Sequence, residues 1–276
     1  MLTTHTQTEL DQEYSLNDGS KVTAAQLRAW DKELGLMKSP EDRLRWAITM
    51  FPNIYQLSGL GLTGLVITDM LSKLTSGQNA VPMIFIDTLH LFPETLKLLG
   101  EVKSKYYKPC PDKVNVFRPS GVESEEEFAA KYGSKLWEID QMKYDFVSKI
   151  EPAYRAYKQL KVSAVFTGRR RSQQGDRVDL PYIELDQSNS VIKINPLADY
   201  EFAETESYVL KHKVPRNELL KLGFKSIGDY HSTEPVGNGE DERAGRWKGK
   251  SKTECGIHQA SKYAAFLKEH QNNSTM

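Results

Sequence analysis

Short apolar runs alternate with longer helical segments through the middle of the chain. Runs of this kind predict strands at residues 54–57, 83–87, 114–117, 162–167, 182–186 and 191–194. Helical spacing of apolar residues predicts helices at 63–74, 94–106, 123–136 and 142–160. This alternation predicts an α/β fold with a mainly parallel sheet flanked by helices. Because such sheets bind ligands at the carboxyl ends of their strands, we expect the site in the loops after residues 57, 87 and 167.

Charge and cysteine content exclude several classes of protein. The 37 basic and 37 acidic residues cancel, which argues against a general nucleic-acid binder. No apolar stretch is long enough for a membrane span, and the first residues do not form a secretory signal, so a cytoplasmic protein is expected. The two cysteines cannot supply the four ligands of an iron–sulfur cluster, nor a disulfide framework.

A glycine-rich loop follows the first strand of the alternating region. Its backbone amides, at the start of a helix, suit an anion, although a tight turn without a ligand explains the loop equally well. The residues that we expect to contact the anion are Ser58, Gly61, Thr63 and Gly64. Asp87 and Thr88 end the next strand, where a carboxylate can accept from a ribose hydroxyl or instead cap the following helix.

Three consecutive arginines follow the strand at 162–167. Guanidinium groups bind phosphate or sulfate through paired hydrogen bonds, so this loop predicts an anion site. The candidate residues are Gly168, Arg169, Arg170, Arg171 and Gln173. A solvated basic loop and a nucleic-acid patch are the alternatives, and the second lacks an aromatic platform for bases.

The C-terminal part contains the second cysteine, Cys255, after a run of basic residues. A thiol attacks as its thiolate, which nearby cations and a following helix N-terminus favour. The candidate cations are Arg243, Arg246, Lys248, Lys250 and Lys252, and His258 follows the cysteine by three residues. The alternatives are a buried, unreactive Cys255 and a histidine on a helix surface.

These segments, in this order, resemble the assimilatory 3′-phosphoadenylyl sulfate (PAPS) reductases, most closely the fungal type. The most specific match is Glu-Cys-Gly-Ile-His at 254–258, which is similar to the family's Glu-Cys-Gly-Leu-His signature. Further matching blocks lie at 85–95, 151–152, 168–173 and 226–231, so the resemblance spans roughly residues 40–270. It implies a fold akin to the adenine-nucleotide α-hydrolases.

The resemblance also implies an activity and a set of roles. Cys255 would attack the sulfate sulfur of PAPS, form an S-sulfocysteine and release adenosine 3′,5′-bisphosphate. Reduced thioredoxin would then release sulfite, as part of sulfate assimilation for cysteine and methionine biosynthesis. The glycine-rich loop would hold the phosphosulfate, Asp87 and Thr88 the nucleoside, and the arginines and tail cations the phosphates. His258 would orient the sulfur or assist proton transfer.

The same resemblance excludes some cofactors and leaves alternatives open. The related APS reductases carry cysteines for an iron–sulfur cluster, which this chain lacks, so we expect PAPS as substrate and no bound cofactor or metal. Leu62 and Thr63 stand where ATP pyrophosphatases have an acidic residue. A cluster-free APS reductase, an ATP-using sulfur-transfer enzyme and a non-catalytic redox sensor remain the alternatives.

The resemblance and the change in composition along the chain predict three regions. Residues 1–20 are polar and aperiodic and are expected to form a flexible arm, followed by an α/β nucleotide-binding domain at 21–227. Residues 228–276 are expected to form a mobile catalytic tail that ends in a helix at 257–270. Members of the family tend to form homodimers, so the resemblance implies a homodimer. We expect thioredoxin as the protein partner, and neither nucleic acid nor a membrane.

Overall fold

A six-stranded sheet forms the centre of the structure, a computed structural model that describes residues 10–75, 81–237, 239–249, 252 and 254–273. A separate hairpin comes first, and the sheet strands follow: β1 (Glu13–Ser15), β2 (Lys21–Thr23), β3 (Ile54–Leu57), β4 (Met83–Ile86), β5 (Val114–Phe117), β6 (Ala164–Phe166), β7 (Ile183–Asp186) and β8 (Val191–Ile194). The strand order is β5-β4-β3-β6-β8-β7, and every pair is parallel except β7 with β8. The predicted mainly parallel sheet is therefore confirmed.

The central strands are buried on both faces, which explains their almost continuous apolar sequences. All four residues of β4 are buried, and so are all four of β8. Lys193 is the exception in β8, and its ammonium pairs with Asp186 of β7 at 2.5 Å. A lysine in an apolar strand is thus neutralised by the antiparallel neighbour.

Helices cover both faces of the sheet. They are α1 (Ala24–Leu36), α2 (Pro40–Met50), α3 (Leu62–Leu74), α4 (Pro93–Tyr106), α5 (Glu125–Tyr132), α6 (Leu136–Ile139), α7 (Gln141–Asp145), α8 (Glu151–Gln159), α9 (Phe202–Lys211) and α10 (Ala264–Asn273). A π-helical segment, Phe146–Ile150, joins α7 to α8. Within the described residues, no helix has both the length and the apolar character needed to span a membrane.

Two apolar clusters lie between the sheet and its helices, one on each face of the sheet. On one face, α3, α4 and α9 contribute residues such as Leu65, Leu98 and Val209 to the larger cluster. On the other face, Ala156 and Tyr157 of α8 pack on the sheet. The helices predicted at 63–74, 94–106 and 142–160 are therefore confirmed with small shifts at their ends, whereas the helix predicted at 123–136 ends at Tyr132.

The N-terminal region differs from the predicted arm. Residues 1–9 lie outside the described residues, but β1 and β2 pair as an antiparallel hairpin, with Leu16 in the main core. The Asn17 amide donates to the carbonyls of Val162, Asn189 and Ser190 at 3.2, 2.8 and 3.0 Å. The polar composition of this segment reflects side chains that bind backbone groups rather than detachment from the domain.

The C-terminal region is irregular until α10. The predicted helix at 257–270 begins instead as two short 3-10 turns, Gly256–His258 and Ala260–Tyr263. The described residues between 228 and 249 contain no helix or strand longer than a single turn, and isolated bridges at Leu91–Asp229 and Thr233–Arg246 hold them. This segment lies over the carboxyl edge of the sheet, where hydrogen bonds and ion pairs replace apolar packing.

Arg43 of α2 joins the first two helices to the loop after β8. Its buried guanidinium donates to the carbonyls of Leu34 and Pro196 at 3.1 and 2.9 Å. It also donates to both carboxylate oxygens of Asp199, at 2.7 and 2.8 Å. The Arg43 side chain therefore provides hydrogen bonds to acceptors from three segments, and its removal should lower the stability of the fold.

We predict that Arg43→Ala lowers the free energy of unfolding by about 3 kcal/mol, because it strands buried acceptors and a paired carboxylate. Arg45→Ala is the matched control, since Arg45 lies on the same helix and is exposed. It should change stability by no more than about 0.5 kcal/mol. Urea unfolding of both variants tests this, and equal effects would contradict the assigned role of Arg43.

Candidate active site

A cavity of about 240 Å³ opens at the carboxyl end of the sheet. The loops after β3, β4 and β6 line it with Ser58, Thr88 and Gly168, among others. The C-terminal region closes it with Arg243, Arg246 and Cys255, among others. The loops after residues 57, 87 and 167, where we expected the site, therefore line one cavity.

The glycine-rich loop leads into α3 and exposes the start of that helix to the cavity. The Ser58 hydroxyl accepts from the Leu60 amide at 3.1 Å, and Leu60 has a positive φ of 60°. Gly61 is the N-cap of α3 and has no side chain to accept from the first-turn amides. A helix start of this kind presents amide donors and a partial positive charge to an anion.

Glycine at two positions lets the loops meet backbone to backbone. A β-carbon on Gly168 would lie 2.9 Å from the Gly64 amide nitrogen, closer than side chains come to backbone atoms. A β-carbon on Gly64 would lie 2.7 Å from the Ser58 hydroxyl. The arginine loop after β6 therefore sits directly against the N-terminus of α3.

The three arginines after β6 separate in space. Arg169 and Arg170 are buried and line the cavity. Arg171 turns away from it, stacks on the Tyr182 ring at 4.6 Å and donates to the Leu180 carbonyl at 2.8 Å. Alternating side-chain directions in the extended backbone around Arg170 account for this split, so the sequence-based assignment of Arg171 to the anion site is wrong in this geometry.

Arg170 connects the start of α3 to the C-terminal region. Its guanidinium donates to the Thr63 hydroxyl at 2.9 Å. It also donates to both carboxylate oxygens of Glu242, at 2.8 and 2.6 Å. Glu242 thus occupies the Nη2 group of Arg170, a donor that a phosphate or sulfate could use instead.

Glu254 anchors the reactive cysteine to the same loop. Arg177 donates to its two carboxylate oxygens at 2.5 and 2.6 Å, and Gln173 accepts from Arg177. The Cys255 amide donates to Glu254 at 2.7 Å. Burial alone raises the pKa of Glu254, but hydrogen bonds and charge from Arg177 outweigh it and lower the pKa to about 2. The carboxylate is therefore ionised at neutral pH.

Cys255 lines the cavity among positively charged side chains. Its sulfur interacts electrostatically with Lys149, Arg243 and Arg246. Burial and then the charge of Arg177 lower the pKa of Arg243 to about 10, still well above neutral. Three cations therefore surround the cysteine.

Arg246 has its own space beside the cysteine. A β-carbon on Gly228 would lie 2.4 Å from its guanidinium, so only glycine fits there. Arg246 donates to the Ser226 hydroxyl at 3.3 Å and stacks on the Trp247 ring at 4.5 Å. Its Nε atom has no hydrogen-bond partner within the described part of the chain.

The tail lysines lie elsewhere. Lys248 is exposed and lies 3.9 Å from Glu234, and Lys250 is outside the described residues. Lys252 turns away from the cavity and donates to Asp145. The sequence-based assignment of Lys248 and Lys252 to substrate binding therefore does not match their positions, because each pairs with a carboxylate outside the cavity.

Asp87 and Thr88 face opposite sides of the loop after β4. The Asp87 carboxylate accepts from the Leu89 amide at 3.0 Å and pairs with Arg118 at 2.9 Å. It does not line the cavity, so it orders its own loop, and its expected contact with a nucleoside has no support in this geometry. Thr88 lines the cavity and donates to Asp229 at 2.6 Å.

Lys149 is a cavity residue that we did not predict from the sequence. The π-helical segment places it between Asp145 at 3.1 Å and Asp229 at 2.7 Å, with its side chain 7 % exposed. Burial alone lowers the pKa of Lys149, but the charges of Asp229 and Asp145 outweigh it and raise that pKa well above its usual range. Asp229 lies in the Ser-Ile-Gly-Asp block, which was the only sequence signal for this pair.

His258 follows Cys255 within the same 3-10 turn, and its amide donates to the Cys255 carbonyl at 3.0 Å. Its ring lines the cavity. Burial lowers the pKa of His258 well below its usual range, and Arg169 and Lys193 lower it further. The imidazole is therefore neutral at pH 7.

Comparison with known proteins identifies the family of this chain. A family described as "Phosphoadenosine phosphosulfate reductase domain" matches residues 53–235. The phosphoadenosine phosphosulfate reductase of Saccharomyces cerevisiae is 53 % identical over 256 residues, 93 % of this chain and 98 % of that protein. A probable phosphoadenosine phosphosulfate reductase of Schizosaccharomyces pombe is 54 % identical and covers 86 % and 87 % of the two chains.

A solved structure agrees. The crystal structure of a Candida auris PAPS reductase, in a phosphate complex, superimposes with a TM-score of 0.69 at 48 % identity. The match covers 77 % of this chain and 98 % of that chain. Cavity, cysteine motif and relatives agree, and the chain belongs to the phosphoadenosine phosphosulfate reductase family.

Proposed function

We propose that the protein reduces PAPS to sulfite and adenosine 3′,5′-bisphosphate, with Cys255 as nucleophile and thioredoxin as reductant. One observation carries this proposal: Cys255 lines the same cavity as the glycine-rich loop and the buried arginines. A thiol, a helix N-terminus and several cations around one space suit a substrate that carries both a sulfate and phosphates.

The substrate groups divide between two parts of the cavity. Lys149, Arg243 and Arg246 surround the sulfur and would hold the sulfate that it attacks. Ser58, Gly61, Thr63 and Gly64 would hold the adjoining 5′-phosphate at the start of α3. Arg169, Arg170 and Gln173 would contact the remaining phosphate oxygens. The solved phosphate complex of the Candida auris relative supports an anion site in this fold.

Glu242 sets a condition on this binding mode. Because Glu242 accepts from Nη2 of Arg170, a phosphate can bind that nitrogen only if the carboxylate moves away. The irregular backbone of residues 228–249 allows such a movement more readily than a helix or strand would. A mobile tail at 228–276 is part of the proposal.

The chemical step is a displacement at sulfur. The Cys255 thiolate forms an S–S bond to the sulfate sulfur, and the bond from that sulfur to the 5′-phosphate oxygen breaks. The oxygen keeps the electron pair, so adenosine 3′,5′-bisphosphate leaves as an anion that the nearby arginines stabilise. The enzyme is left with S-sulfocysteine at position 255.

Thioredoxin completes the cycle. One of its thiolates attacks the Cys255 sulfur, and sulfite leaves with the electron pair of the S–S bond. Its second thiol then resolves the mixed disulfide, so two electrons from thioredoxin reduce the sulfur. No bound cofactor is required, and two cysteines cannot hold an iron–sulfur cluster. A cytoplasmic homodimer, as the resemblance implies, completes the proposal.

Substrate competition separates this function from its alternatives. Sulfite release should be much faster with PAPS than with APS at equal concentration, because APS lacks the 3′-phosphate. Faster turnover of APS would favour a cluster-free APS reductase. Magnesium-dependent release of pyrophosphate from ATP would favour a sulfur-transfer enzyme.

We predict that Cys255→Ser abolishes sulfite formation, by at least about a thousandfold, because a serine hydroxyl is not ionised at neutral pH. The variant should keep the wild-type affinity for adenosine 3′,5′-bisphosphate, since the cations remain. Intact-mass spectra after incubation with PAPS should show a sulfonate adduct on the wild type alone, cleared by reduced thioredoxin.

Cys110→Ser is the matched control for this experiment. Cys110 lies outside the cavity lining, so its replacement should leave turnover and the adduct unchanged. A wild-type protein that binds the nucleotide without forming an adduct would contradict the proposed nucleophile and favour a redox sensor.

We predict that His258→Gln slows adduct formation by about ten- to a hundredfold through loss of a ring that lines the same cavity as the thiol. Since the pKa of His258 lies well below 6.5, the ring is neutral throughout pH 6.5–8. The variant should therefore keep the wild-type shape of the pH–rate profile in that range. Loss of one limb of the profile would show that His258 titrates during catalysis.

A further inference from the structure

Asp145, at the end of α7, is a buried carboxylate outside the cavity lining that accepts from three side chains. One oxygen accepts from Lys149 at 3.1 Å. The other accepts from Lys252 and from the Tyr263 hydroxyl, the latter at 3.2 Å. Only 1 % of the Asp145 side chain is exposed. A carboxylate this deep requires partners, and here two of the three come from the C-terminal region.

Those two partners bracket the reactive cysteine. Lys252 precedes Cys255 by three residues, and Tyr263 follows it by eight. The segment from 252 to 263 is therefore attached at both ends to one side chain of the main domain. Movement of this segment away from the domain would break both contacts, so Asp145 would keep only Lys149 while Lys252 and the Tyr263 hydroxyl would need new partners.

The turn that carries Cys255 also packs closely against the main domain. A β-carbon on Gly256 would lie 2.8 Å from the Ile150 side chain and 3.2 Å from Tyr263. Ile150 and Tyr263 also share an apolar cluster with Phe146 and Leu267. The turn at residues 254–258 thus rests directly on residues 145–150.

Asp145 also contacts Lys149, a cavity residue that interacts with Cys255. Lys149 lines the cavity and interacts electrostatically with Cys255, and Asp145 fixes one side of its ammonium group. Asp145 therefore contacts both the segment that carries the thiol and a cation that faces it.

We infer that Asp145 is a positioning residue, which holds Cys255 over the cavity through Lys252 and Tyr263 and aligns Lys149 with it. This inference rests on the proposed function of Cys255 as nucleophile. Thioredoxin must reach the sulfur after the first half-reaction, so these polar contacts, which water can replace, suit a segment that has to be released.

The test uses alkylation of Cys255 by iodoacetamide in a Cys110→Ser background, where Cys255 is the sole thiol. Alkylation is followed against pH, since its plateau at high pH reports access to the thiolate and its midpoint reports ionisation. Asp145→Asn should raise the plateau rate by about fivefold or more, because the segment is released. It should slow adduct formation from PAPS by about tenfold, with unchanged affinity for adenosine 3′,5′-bisphosphate.

Asp69→Asn is the matched control. Asp69 is also a buried carboxylate, paired with Lys73 four residues on at 2.6 Å and bonded to the Tyr106 and Tyr208 hydroxyls at 2.9 Å each. It lies outside the cavity lining. This variant should lose stability without any change in the alkylation plateau or in adduct formation.

Lys252→Gln tests the contact from the other side and alters only the C-terminal segment. It should raise the alkylation plateau as Asp145→Asn does. The plateau of the double variant should be close to that of either single variant, because both substitutions remove the same contact between Lys252 and Asp145. An unchanged plateau in Lys252→Gln, or equal effects of Asp145→Asn and Asp69→Asn, would overturn the inference. Absence of an adduct in the wild type would contradict the proposed function instead, since alkylation needs no substrate.

Discussion

Buried positive charge at the carboxyl edge of the sheet is the constraint on which the site depends. Arg170, Arg177 and Lys149 are each almost fully removed from water, which is costly for an unpaired cation. Each is paired with a carboxylate from the chain itself, Glu242, Glu254 and Asp229 in turn. All three carboxylates belong to the C-terminal region, so the region that closes the cavity also supplies the negative charges that pair with its cations.

This arrangement connects stability to the proposed chemistry. Cations that bind an anionic substrate must exist before the substrate arrives, and the C-terminal carboxylates hold them in place until then. Glu242 occupies donors that a phosphate would need, whereas Glu254 stays beside the cysteine and orients it. The cysteine is therefore carried by the segment whose charges complete the site.

Much of the fold could be predicted from the sequence, because the buried strands are apolar on both faces and the helices have one apolar side. The strands at 54–57, 114–117 and 191–194 match the structure at both ends. Prediction failed where side chains bind backbone groups. Asn17 ties a polar segment to the domain, and the helix expected at 257–270 begins instead as two 3-10 turns.

The sequence by itself determined the sheet, the loops that meet at its carboxyl edge and the family's cysteine motif, since strand composition and a short motif are local properties. Only the tertiary structure decided which charges face the cavity. Arg169 and Arg170 face it while Arg171 packs on Tyr182, and Asp87 turns to Arg118. Lys149 enters the site through a π-helical turn. The physical reason is that side-chain direction and ion pairing depend on partners distant in sequence, which no local pattern records.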